Sequence, residues 1–329
     1  MAERLEISRP VPQEIFLLER YTSKAYFSAM RDDWERMIQH VEGCLAAFTN
    51  TLPPDYRSRP LPEQPDIIWG ERVLPNFRDT REALNRAYIS LTHGDLQALG
   101  HAGRVTSDFA GFSRDYSSDW MDEPQIAAEV EGGGARFWHW LTQAVEKATN
   151  IETTLRAHWV EGDLTSRYDE ARGALNPPQE WPRYSIDPRI RTATGEPAPA
   201  TGVYLPQVAN SCAAFILKDE STPPASVGYD PDTFQNRLEA ACSWQLVVRG
   251  EGEWVADGLV DLRPSGLELR PGRSQAGDGC PRAGWWYTSA RAGSRRYFKQ
   301  DDIFPSIEGS DYGQTFWLWS DDQTAPRLR

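Results

Sequence analysis

The sequence predicts an α+β protein: an N-terminal helical bundle over residues 1–178, followed by a C-terminal β-rich domain of short strands over residues 179–329. Three observations carry this reading. Residues 13–52, 76–123 and 125–176 contain no proline, so each is long enough for full helices that proline would otherwise break. Tyr26, Met30, Trp34, Met37, Val41, Cys44 and Phe48 recur at steps of three and four, a single helical stripe. From Pro177 the texture changes: proline is dense to Pro231, glycine recurs, and short β-branched or aromatic runs replace the stripes.

In chain order, the first helix should end at Pro53 and Pro54. A second is expected over 79–91, with Leu84, Ala87, Tyr88 and Leu91 on one face, interrupted at Gly94 and resumed over 95–112. A third opens after GGG at 132–134, read as a flexible hinge, and runs through Phe137, Leu141, Ala148, Ile151 and Leu155 to Trp159. In the second half, strands are expected over 244–248, 285–288, 295–299 and 315–319, a hairpin over 253–262 and 267–269, and one helix over 232–241. A weak internal repeat also shows. TGVYLP at 201–206, followed by Phe215, Lys218 and Trp244, is echoed by AGWWYT at 283–288, followed by Phe298, Lys299, Trp317 and Trp319. This points to two similar β-units.

With 329 residues, 40% of them apolar and 13 Trp, the chain has material for two cores. The mean hydropathy of −0.60 reflects a charged surface. The net charge is −13, a field that repels nucleic acid and anionic membrane and attracts basic proteins. It is uneven: 28 Asp and Glu against 19 Lys and Arg in residues 1–176, 20 against 16 in residues 177–329. Residues 1–12 are charged and lack the apolar core of a signal peptide, and no stretch approaches the ~18 apolar residues of a membrane span, so a cytoplasmic location is expected.

The residues offer no catalytic constellation. Cys44, Cys212, Cys242 and Cys280 are far apart and form no CxxC; they read as buried small hydrophobes. His40, His93, His101, His139 and His158 make no metal-ligand spacing, and none lies beyond His158, which rules out His-based acid–base chemistry on the β-domain. There is no dinucleotide or phosphate loop and no GxSxG elbow. No enzyme, cofactor or metal is expected.

Two segments stand out. Residues 115–131 hold six acids and no base, interleaved with Tyr116, Trp120 and Met121. Aromatic anchors ringed by acids suit a protein interface that meets a basic partner, so the candidate partner-binding residues are Asp115, Tyr116, Asp119, Trp120, Asp122, Glu123, Glu129 and Glu131. The plain alternative is an acidic loop whose Trp tucks into the core. The second segment is CPRAGWWYT at 280–288, with Arg291, Arg295 and Arg296 following. In a strand Trp285 and Tyr287 face one way and Trp286 the other, so the three cannot form one platform.

The ordered set HGDL at 93–96, SDF at 107–109, SRDYSSDW at 113–120, GGG at 132–134 and FWHW at 137–140 resembles the helical part of a large two-domain immunity-protein family of bacterial type VI secretion and polymorphic-toxin systems. CPRAGWWYT at 280–288, AGSRRYF at 292–298, FP at 304–305 and GQTFWLW at 313–319 resemble its C-terminal module; Asp301 and Asp302 stand where the family often has Gly followed by an acid. Residues 1–75 and 207–240 match only loosely. The resemblance implies binding and neutralisation of a cognate secreted effector, often a nuclease, and supplies no catalytic residues. The expected partner is therefore a toxin with a basic nuclease domain, with no direct nucleic-acid or membrane contact. An adaptor or chaperone that loads an effector onto the secretion machine is the alternative.

Overall fold

The computed structural model describes residues 5–6, 11–52, 54–160, 162–165, 181–208, 211–227, 239–255, 274–288, 291, 294–307 and 315–320. The fold is α+β, with helices first and short antiparallel strands after them. Two compact units form, Met1–Leu259 and Val260–Arg329.

In the first unit, β1 (Leu5–Glu6) and α1 (Val11–Tyr21) precede α2 (Lys24–Asn50). The break between the two helices is set by Ser23, whose hydroxyl caps α2 by accepting from the Tyr26 N–H at 3.2 Å. The expected stripe is the core: Met30, Trp34, Met37, Val41, Cys44 and Phe48 are all buried. One turn, α3 (Pro65–Ile68), and a wider-wound stretch at Trp69–Val73 lead into α4 (Leu74–Thr92). This helix starts earlier than the stripe over 79–91 suggests, because the chain enters it already wound: Leu74 and Pro75 follow directly on the wider turn at Trp69–Val73. It stops at Gly94, which takes a left-handed φ of 89°.

The helix expected over 95–112 divides. A tight 3-10 stretch, Leu96–Ala102, capped by Asp95, precedes α5 (Gly103–Asp115). After one turn, α6 (Pro124–Ala127), comes α7 (Gly133–Leu155). The latter ends short of Trp159 in a two-bond C-terminal cap: Ala157 is left-handed at φ 52°, and the N–H groups of Ala157 and His158 donate to the carbonyls of Thr154 and Thr153. Helices α2 and α7 are also joined by a buried ion pair, Asp33 to Lys147 at 3.0 Å.

Strands β2 (Trp181–Ala193), β3 (Gly202–Pro206), β4 (Ala214–Ile216) and β7 (Ser243–Val255) join β1 in an antiparallel sheet of order β1-β2-β7-β3-β4; β5 (Ala225–Ser226) and β6 (Glu239–Ala240) pair separately. One face of the sheet packs on α1, burying Ile15, Leu17 and Leu18 with Val203 and Phe215. The other holds Tyr204, Ala214, Ile216 and Trp244. The helix-to-strand change placed at 178/179 lies outside the described residues. Packing divides the chain elsewhere, because β1 and α1 are built into the first sheet. Of the helix expected over 232–241, residues 232–238 lie outside the described residues, and the described Glu239–Ala240 is strand, a correction forced by its pairing with β5. The hairpin over 253–262 and 267–269 lies outside them beyond Val255.

The second unit holds β8 (Ser274–Gln275), β9 (Gly284–Tyr287), β10 (Arg296–Phe298) and β11 (Phe316–Trp319) in the order β10-β9-β11-β8. This repeats the order β4-β3-β7-β2, and the repeat extends to single hydrogen bonds. Gly202 pairs with Ile216, and 82 residues on Gly284 pairs with Phe298. Thr192 pairs with Trp244 as Ser274 pairs with Trp317. The bridge Pro197–Ser221 recurs as Gly279–Ile303. Trp244 Nε1 donates to the Pro223 carbonyl at 3.0 Å, and Trp317 Nε1 to that of Pro305 at 2.9 Å. Asp219 and Asp301 hold the same left-handed turn, at φ 65° and 67°. The two β-units are structural duplicates.

Candidate functional site

The loop from α5 to α7 carries the acidic–aromatic segment, and three tryptophans fix its path. Trp69 Nε1 donates to the Ser117 carbonyl at 3.1 Å, and Trp138 Nε1 donates to Ser118 Oγ at 2.9 Å. Trp120 turns inward and meets Trp69 and Phe48 edge-on, with centroids 5.5 and 5.8 Å apart. It is 9% exposed, and its Nε1 has no hydrogen-bond partner among the described residues.

A groove of about 880 Å³ opens between this loop and the segment 59–72. Asp115, Tyr116, Asp119, Trp120 and Glu123 line one side, so five of the eight candidate residues converge. Glu63 adds a fourth carboxylate, Pro62 and Ile68 add apolar surface, and Arg59 and Arg72 are the bases in the lining. Sequence reasoning did not find this second wall. Its residues come from a proline-rich stretch with no periodicity, and nothing in their spacing places them opposite the loop. Arg114 donates to Asp115 from Nη2 at 2.6 Å and from Nε at 2.8 Å, which holds the carboxyl below the usual range. The Asp119 carboxylate is exposed, while its backbone N–H donates to Ser117 Oγ at 3.1 Å.

Asp122, Glu129 and Glu131 do not line the groove. Asp122 caps α7, accepting the Gly134 N–H at 2.9 Å. Glu129 and Glu131 are exposed, and Glu131 lies 3.9 Å from Arg136. In the other prominent segment Trp286 is fully buried and Tyr287 is 39% exposed, the alternation expected of a strand.

Burial raises the thiols of all four cysteines above their ordinary pKa, and none is in a disulfide. Among the described residues no cluster of three or more His, Cys, Asp or Glu could hold a metal ion, and no helix is long and apolar enough to cross a membrane. Compared with known protein families, curated proteins and solved structures, the chain matches none.

Proposed function

We propose that the chain is an immunity protein that binds and neutralises a cognate secreted toxin, a nuclease effector of type VI secretion acting on DNA in the cytoplasm. The carrying observation is the groove, where Asp115, Asp119, Glu123 and Glu63 gather beside the half-buried ring of Tyr116, while Trp120 is tucked into the core and braces the loop from beneath. The resemblance of the ordered motifs and the net charge of −13 support the same reading.

A nuclease is basic around its substrate cleft, because it must hold phosphates. An acidic inhibitor shares that attraction: the long-range field speeds encounter, and contacts around buried aromatics hold the complex. The toxin is then silenced by occlusion of its DNA-binding face or active site, and no chemistry is asked of the inhibitor. A toxin that attacks DNA has to be met where DNA is, which makes the cytoplasm the place of action.

The test reverses Asp119 and Glu123 to Lys and leaves Asp122 alone because it caps α7. Cells co-expressing the toxin should lose protection, and association at low salt should slow by about tenfold or more. Unchanged protection together with an unchanged association rate would overturn the groove as the contact surface. A complex formed only with a non-toxic region of the effector, with toxicity intact, would overturn the immunity reading in favour of an adaptor.

A further inference from the structure

The duplication shows what the second β-unit is shaped to hold. In the first unit the outer face of β3 and β4 presents Val203, Leu205, Phe215 and Leu217, and α1 lies across it with Ile15, Leu17 and Leu18. At the same places the second unit has Trp285, Tyr287, Tyr297 and Lys299, fixed by the shared register of β9 with β10 and β3 with β4. Tyr287 is 39% and Tyr297 53% exposed. Trp285 meets Tyr297 edge-on at 5.8 Å. One unit therefore has a helix on this face, and in its duplicate the face carries two exposed tyrosines, Tyr287 and Tyr297, beside the half-buried Trp285.

The charges differ in a way that selects the occupant. On the first unit the α1 carboxylate of Glu14 accepts from the backbone N–H of Ala213 at 3.3 Å. The position equivalent to Ala213, one residue before β10, is Arg295. Its guanidinium lies 4.5 Å from the Trp285 ring centroid and donates to Ser320 Oγ at 3.0 Å, so it is held over the face. Lys299 adds a second cation, where the first unit has Leu217. We infer that the Trp285–Tyr287–Tyr297 face is a docking site for an amphipathic helix of a partner protein, laid across β9 and β10 as α1 is laid across β3 and β4, with a carboxylate at the Glu14 position meeting Arg295. The inference does not depend on that partner being a nuclease.

The mode is helix-in-groove recognition, with apolar anchors spaced three and four apart and one acid setting the register. It explains why large rings are tolerated in the open: aromatic side chains give contact area at low entropic cost, and Arg295 gives direction.

The experiment displays two libraries of constrained helical peptides to the full chain. Both are built on residues 11–21 with the apolar positions varied. One keeps Glu at positions 14 and 19, and the other places Lys there. The expected result is binders from the Glu library alone, weakened at least tenfold by Tyr297→Ser and by Arg295→Glu. Both substitutions are at or beside the exposed face, and far-UV circular dichroism confirms that the variants fold. Trp285→Ala should weaken the same binders, because Trp285 packs edge-on against Tyr297. Failure to obtain binders, equal yield from the Lys library, or binders indifferent to both variants would overturn the proposal. So would quenching of tryptophan emission by a ten-nucleotide thymidine strand that competes with the peptides, provided the quenching is lost in Trp285→Ala, since it would give the face to single-stranded nucleic acid.

Discussion

His40 lies on the buried side of α2, with its Nε2 2.7 Å from the Gly133 carbonyl at the start of α7 and 3.7 Å from Cys44 Sγ. A carbonyl only accepts, so the ring carries its proton on Nε2 and donates. Burial lowers the His40 pKa; the Gly133 carbonyl partly offsets this, and Arg136 adds to the lowering. The unfolded chain therefore takes up the proton more readily than the folded one. The stabilisation is full above the ordinary histidine value of about 6.5 and is lost as pH falls below it towards the folded value. Glu19 and Glu146, whose pKa values burial raises, act with the opposite sign: their contribution fades as pH rises through the carboxylate range. Urea midpoints should separate the two. Wild type minus His40→Gln should shrink between pH 7 and pH 5, and a constant difference over that interval would refute the linkage.

At the scale of elements, the entry to α7 shows how a glycine run can mislead. GGG at 132–134 suggests a hinge, yet Gly133 and Gly134 are buried. Gly132 is left-handed at φ 91°, and Gly133 has φ 41°. A Cβ on Gly133 would overlap the Asp122 carboxylate and come within 2.9 Å of the Met121 carbonyl. The glycines are there for close approach, so that Asp122 can cap the helix. Gly133→Ala should cost about 2–4 kcal/mol from left-handed strain and overpacking, read as a lower midpoint with an unchanged denaturant slope. A loss below about 0.5 kcal/mol would restore the hinge reading. The α2 stripe was legible because one buried face imposes its period on consecutive residues. Strand β2 was not, because Pro182 and Pro188 interrupt the strand pattern and are accommodated at register shifts in its pairing with β7. The groove was half legible: its acidic wall is contiguous in sequence, while the wall carrying Arg59 and Arg72 is brought opposite it only by the fold.

At the scale of the whole molecule, the two copies of the β-unit have unequal support. The first shares its core with α1, through Leu17, Leu18, Val203 and Phe215. The second, among the described residues, rests on Cys280, Trp286, Phe298, Phe304 and Trp317, with Ile307 and Trp319 packed against them. Trp317 is central: it is 1% exposed, it stacks on Phe304 at 5.8 Å, and it meets Phe298 edge-on at 4.9 Å. A buried Trp→Ala change costs roughly 3–5 kcal/mol, and a core in a unit below about 70–80 residues rarely supplies more than that. Trp317→Ala should therefore unfold Val260–Arg329 and leave Met1–Leu259 folded. Helical circular dichroism at 222 nm should persist, while limited proteolysis removes the C-terminal unit. The equivalent Trp244→Ala strikes a sheet braced by α1, so it should lower the melting temperature of the first unit without exposing the second to protease. If Trp317→Ala instead abolished the helical signal in one cooperative step, the two units would be a single folding entity, and the duplicated sheets would share one stability.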